Sequence, residues 1–160
     1  MWSSDRRTLL AGLAALPLAA CGFTPVYAPD GPGTAMRGRV AYRAPDTPEG
    51  FRLRAQLENR LGRVEQGDYL LTVRLDITED ALAISSAQDV NRYNVLGRAD
   101  WTLTRPGGDT PVARGSVDTF TAYSASGTTV ATRQAQGAAR DRLAIALADL
   151  IVTELILAAP

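Results

Sequence analysis

One thiol dominates the chemistry open to this chain. Cys21 is the only cysteine among 160 residues, and it directly follows Leu18-Ala19-Ala20. Ahead of it lie a short basic start, Arg6-Arg7, and a stretch from Thr8 to Leu18 that is apolar apart from Thr8. Basic start, apolar run and small-residue cleavage site are the order of a secretory signal. Residues 1–22 thus read as an export signal that ends in small residues at the one thiol of the chain. An ordinary signal peptide with an incidental cysteine is the simpler alternative.

Little else in the chain is equipped for catalysis. There is no histidine and no lysine, and the remaining charge is 17 arginines against 17 acids. The commonest general base and the commonest metal ligand are missing. The serines and acids form no nucleophile elbow, phosphate loop or metal-ligand spacing. The expectation is no enzyme, no cofactor and no metal. Removing residues 1–20 takes Arg6, Arg7 and Asp5 with it and leaves a formal charge of −1. Nothing there favours nucleic acid as a partner. The arginines keep one capacity that lysine lacks, bidentate binding of phosphate or carboxylate.

Leu18-Ala19-Ala20-Cys21 resembles the bacterial lipoprotein box, and the acyl chains expected at Cys21 hold more firmly than a single chain, which binds only reversibly. Gly22, where lipoproteins kept at the inner membrane usually carry Asp, is compatible with an outer-membrane destination. Arg6-Arg7 reads either as a plain basic start or as a weak twin-arginine signal. The organisation expected is a signal peptide over 1–20, a lipidated cysteine and tether over 21–35, and one α+β domain over 36–160. Pro25, Pro29, Gly31, Pro32 and Gly33 mark the tether.

The domain has to hold itself together by burial. A short strand is expected around Val40 and Tyr42. Thr47-Pro48-Glu49 then opens a helix, because Thr47 can cap, Pro48 needs no amide hydrogen and Glu49 meets the positive helix end. Leu53, Leu57, Leu61 and Val64 share its apolar face, and Gly62 stops it. Tyr69, Leu71, Val73, Leu75 and Ile77 alternate with polar residues, the pattern of a strand with one face on a core. Ala81 to Ile84 can prolong it. Tyr93, Val95, Ala99, Trp101 and Leu103 repeat the alternation, and Arg105-Pro106-Gly107-Gly108-Asp109 is a turn. Val112–Tyr123 is a third long strand, with Val117 and Phe120 in opposite phase and a bulge as one way to reconcile them.

A long helix begins at Thr128 or Thr129. From Leu143 onward its apolar residues point nearly all round, which requires burial on more than one side or a membrane. Asp149 and Glu154 argue against the membrane, since a central acid costs up to about 3 kcal/mol there. The order β-α-β-β-β-α gives two helices packed on one face of a four-stranded, mainly antiparallel sheet. The other face carries Arg74, Asp76, Asn94, Arg98, Asp100, Thr102 and Thr104.

Cys21-Gly22-Phe23-Thr24-Pro25-Val26-Tyr27, Asn91-Arg92-Tyr93-Asn94-Val95 and Trp101-Thr102-Leu103, with this element order and the long last helix, resemble the LptE family of lipopolysaccharide-assembly lipoproteins. The resemblance implies a lipid-anchored protein on the periplasmic face of the outer membrane. It implies a plug inside an LptD-type β-barrel, a part in assembling that barrel, and help in inserting lipopolysaccharide into the outer leaflet. Barrel, lipopolysaccharide and membrane lipid are the implied partners. Arg92, Arg98 and Arg74 are the candidate contacts on physical grounds: Arg92 at the exit of a polar loop, Arg98 and Arg74 on the open face. The plainer reading of each is a solvated surface arginine. An α+β lipoprotein serving as auxiliary subunit of an envelope lipid transporter of the ABC type is the alternative function.

Overall fold

Strict alternation over two long segments fixes the centre of the molecule. In the computed structural model, which describes residues 29, 31–84 and 90–158, β2 (Tyr69–Ile84) and β3 (Val90–Thr104) pair antiparallel along their length. β4 (Pro111–Ser124) pairs antiparallel with β3, and β1 (Val40–Arg43) pairs parallel with β2. The sheet order is β1-β2-β3-β4. Cys21, the signal segment and residues 21–28 of the tether lie outside the described residues.

Three helices accompany the sheet: α1 (Pro32–Met36), α2 (Pro48–Leu61) and α3 (Thr129–Ala158). The fold is α+β, with one short helix added to the expected order. α1 falls at the end of the stretch read as tether. Pro32 there starts a helix rather than breaking one, because its fixed φ suits the first helical position, and Met36 is buried in the core. α2 starts and ends where expected. The Thr47 hydroxyl accepts a hydrogen bond from the Gly50 amide at 3.1 Å, and Gly62 stops the helix with φ 89°. Val64 falls outside the helix and is half-buried.

α2 provides the crossover that parallel β1 and β2 require, and it buries Leu53, Leu57 and Leu61 on the sheet. α3 buries Leu143, Leu147, Ile151 and Leu155 on the same face. Among the described residues no polar or charged residue is fully buried. Gly97 lies beneath α3. A Cβ there would come within 2.8 Å of Leu143 and 3.0 Å of Leu147, so the missing side chain lets the helix settle onto β3.

β4 corrects one expectation. Its register with β3 runs unbroken from Ser124 to Ala113, and the single irregularity falls at Leu103/Thr104. No bulge separates Val117 from Phe120. Val117 faces the core and Phe120 stands on the open face, 66% exposed. At the preceding turn, the Gly108 amide donates to the Arg105 carbonyl at 3.0 Å, with Gly107 at φ 73°. Positive φ after proline is the type II turn geometry that glycine permits.

The two acids of the apolar helix have partners. Glu154 accepts from the Trp101 indole N–H at 2.8 Å. Asp149 accepts from Gln56 at 2.9 Å and faces Arg60 at 3.4 Å. These contacts turn both acids toward the protein. No helix among the described residues is long and apolar enough to cross a membrane.

Candidate functional site on the open sheet face

Because strand side chains alternate, the even-numbered residues of β2 as far as Asp80, and those of β3 paired with them, emerge on the face without helices. Register then sets them in rows. Asp76, Arg98 and Asp118 stand side by side across three strands, and Arg74, Asp100 and Ser116 form the next row. Thr72, Thr102 and Arg114 follow, with Arg43 of β1 continuing the row. In the other direction Thr78, Leu96 and Phe120 make an apolar row. Opposite charges directly across strands stabilise a sheet, so the pattern is self-consistent.

Arg98 donates to Asp100 at 3.2 Å. The Asp100 carboxyl is held below the usual carboxylate range, first by a hydrogen bond from Ser116 and also by Arg98 and Arg74. Two shallow depressions mark the face. One, of 250 Å³, is bordered by Asp76, Thr78, Leu96, Arg98, Asp118 and Phe120. The other, of 380 Å³, is bordered by Thr72, Arg74, Asp100 and Thr102. Such a face can grip a partner carrying both charge signs, or an anionic headgroup beside an apolar chain.

The three candidate arginines are not one cluster. Arg74 and Arg98 occupy neighbouring rows. Arg92 stands six residues along β3 from Arg98, a separation of about 20 Å at strand rise, opposite Ser124. Arg43 and Arg114 share the open face and were not among the sequence candidates. The opposite phases of Val117 and Phe120 hid the orientation of β4, and with it Arg114.

A second polar cluster joins α2, β2 and α3. Arg140 donates to Glu49 at 3.1 Å and to Glu79 at 3.3 Å, and Gln136 donates to Glu79 at 2.8 Å. Burial opposes the charge on both glutamates. Hydrogen bonds outweigh it, from Gln136, Tyr123 and Arg140 at Glu79 and from its own amide and Arg140 at Glu49, so both pKa values lie below the ordinary one. Burial and Glu79 push the Tyr123 phenol up to about 12. The cluster is a clamp: it pins the start of α2 and the middle of α3 to β2. Its members are scattered from residue 49 to residue 140, and no local spacing announces them. Among the described residues no group of three or more potential ligands could hold a metal ion.

Comparison with known proteins places this fold. Solved structures similar to the chain include a lipoprotein from Caulobacter crescentus CB15, 23% identical, covering 74% of this chain and 88% of that one with a TM-score of 0.61. Rare lipoprotein B from Shewanella oneidensis is 14% identical over 74% of this chain and 93% of its own, with a TM-score of 0.57. A minor lipoprotein from Acinetobacter baumannii is 13% identical over 74% and 90%, with a TM-score of 0.60. These likenesses show the fold. No curated protein matches the chain. The family model described as LptE, lipopolysaccharide-assembly, matches residues 39–155, from the turn before β1 to the end of the buried face of α3. This chain belongs to the LptE family, whose members are non-enzymatic lipoproteins of lipopolysaccharide assembly associated with the outer membrane.

Proposed function

We propose that this protein is acylated at Cys21, hangs from the periplasmic face of the outer membrane, and seats its domain as a plug in an LptD-type β-barrel. In that position it helps the barrel assemble and assists insertion of lipopolysaccharide into the outer leaflet. The observation that carries the reading is the open sheet face. It is broad, bare of helices, and laid out in rows of alternating charge. A barrel presents a polar wall to its interior, and a face with both charge signs complements such a wall better than a uniformly basic one. Arg74 and Arg98 are the proposed contacts at its centre. Arg92 is the proposed contact at the β2–β3 end.

The experiment is co-purification of the membrane-extracted full chain, wild type beside Arg98→Glu, with thermal melting of both. Reversal places a fourth acid among Asp76, Asp100 and Asp118. Barrel recovery is expected to fall at least tenfold, while the melting midpoint moves by no more than about 4 °C, as suits one exposed position. Equal recovery of the barrel by both proteins returns Arg98 to solvated surface. Recovery of an inner-membrane lipid transporter instead of a barrel replaces the reading with the alternative. The anchor is tested separately. Palmitate label is expected on the wild type and absent from Cys21→Ala, and label on the variant ends the lipoprotein reading.

A further inference from the structure

β4 ends the sheet with fourteen residues paired on one side only. A long edge of free amide and carbonyl groups is a template for another strand, and natural proteins usually guard it. Here one guard is visible at the far end, where Arg142 donates to the Ala122 carbonyl at 3.3 Å. The opposite edge, β1, is only four residues long.

The open-face side chains of β4 have an internal symmetry. Reading outward from Ser116, Arg114 lies two residues before it and Asp118 two residues after. Within the chain both charges are open to a further partner. Arg114 stands across from Thr102, not an acid, and Asp118 shares Arg98 with Asp76 and Asp100. Neither Arg114 nor Asp118 forms an ion pair among the described residues, whereas Arg98 pairs with Asp100. An antiparallel second strand of the same sequence, centred on Ser116, gives each of them a partner of its own. Arg114 of each copy then stands directly opposite Asp118 of the other, where opposite charges are neighbours about 5 Å apart. Such an interface uses one patch twice, as a two-fold axis requires.

We propose that, when not seated in a partner, two copies of this protein join edge to edge through β4 about Ser116 to form one continuous eight-stranded sheet. The pairing uses the free edge of β4 and its Arg114–Asp118 symmetry. It stands or falls independently of the barrel reading, because it concerns the protein alone.

The test uses the full chain, purified without partners in a neutrally buoyant detergent. Sedimentation is expected to report a dimer for the wild type. Arg114→Asp and Asp118→Arg each set like charges opposite one another, and each is expected to weaken association at least tenfold. The double variant restores opposite charges in swapped positions and is expected to recover the dimer. A second measurement does not depend on charge. Ser116→Cys places two thiols on the axis, within reach of a disulfide, and mild oxidation is expected to yield a covalent dimer. Wild type and Thr102→Cys, at the middle of the same face, are expected to yield none above background. A monomeric wild type at all concentrations, failure of the double swap to recover the dimer, or no more covalent dimer from Ser116→Cys than from Thr102→Cys overturns the proposal.

Discussion

The two faces of the sheet are made by the same strands and share no chemistry. On the covered face Leu71, Val73, Val95, Ala99, Trp101 and Leu103 are buried beneath α2 and α3. On the open face their immediate neighbours are Thr72, Arg74, Arg98, Asp100 and Thr102. Each residue step along β2 or β3 therefore changes jobs. The covered face holds the fold together by area removed from water. The open face adds little stability, because exposed ion pairs are typically worth about 0–1 kcal/mol. What that face keeps is pattern. Substitutions there should be read through binding, and substitutions beneath the helices through stability.

The sharpest break of this contrast is Leu147→Ala beside Thr102→Ala. Leu147 is fully buried, and its truncation is expected to cost about 2–5 kcal/mol. Thr102→Ala is expected to stay within about 0.5 kcal/mol. Chemical denaturation of the two measures the gap, and comparable losses would dissolve the distinction between the faces.

The Arg140 clamp sits between the extremes. Arg140→Ala leaves Glu49 and Glu79 partly buried without their cation, for an expected loss of about 1–3 kcal/mol, kept to that range because the Arg140 side chain is 37% exposed. Its pH signature has a definite sign. In the unfolded chain both glutamates return to the ordinary value of 4.5; in the folded chain they lie below it. Below pH 4.5 the unfolded state therefore binds more protons. The stabilisation is complete above pH 4.5 and is lost as pH falls through the folded values. Melting midpoints from pH 7 to 3 should fall more steeply for the wild type than for Arg140→Ala. Parallel curves would show that the clamp's charges do not stabilise the fold.

A smaller effect is expected at the edge of the covered face. Trp101→Phe keeps an aromatic ring but removes the N–H-bearing half of the indole, and with it the hydrogen bond to Glu154 and some buried packing. The half-buried acid loses a donor, and a loss of about 1–2 kcal/mol is expected by thermal melting. If Trp101→Phe melts with the wild type, water has taken the place of the indole. Smallest of all, Arg74→Gln should leave the melting midpoint nearly unchanged while reducing barrel recovery, since Arg74 stands exposed opposite Asp100.

Most of the fold was legible because its signals are local. Thr47, Pro48 and Gly62 set the limits of α2, and two alternating runs set β2, β3 and the membership of the open face. The membrane argument from Asp149 and Glu154 is also physical, and the structure supplies what the sequence lacked, their partners Gln56, Arg60 and Trp101. What stayed hidden is long-range. The phase of β4 depends on register with β3, because Phe120 is an apolar residue on the exposed side. α1 was masked by Pro and Gly, which usually end structure and here begin it. The Arg140 clamp joins residues 91 and 61 positions apart, Glu49 and Glu79. On the open face, the alternation found Arg74, Arg98, Asp76 and Asp100 but not Asp118 or Arg114, which stand on β4.

The position of α3 also sets a timetable. β2, β3 and β4 follow one another directly, so their pairing closes short loops and needs little waiting. The helix that covers them, Thr129–Ala158, is made after all three. A chain emerging from its N-terminus therefore shows the row from Leu71 through Val95 to Trp101 to its surroundings while Leu143, Leu147 and Ile151 have yet to arrive. During that interval the newborn protein is a sticky, half-built sheet with an open edge, the kind of species that aggregates. Its safety in the envelope depends on how fast the last thirty residues follow, or on what shelters the sheet until they do.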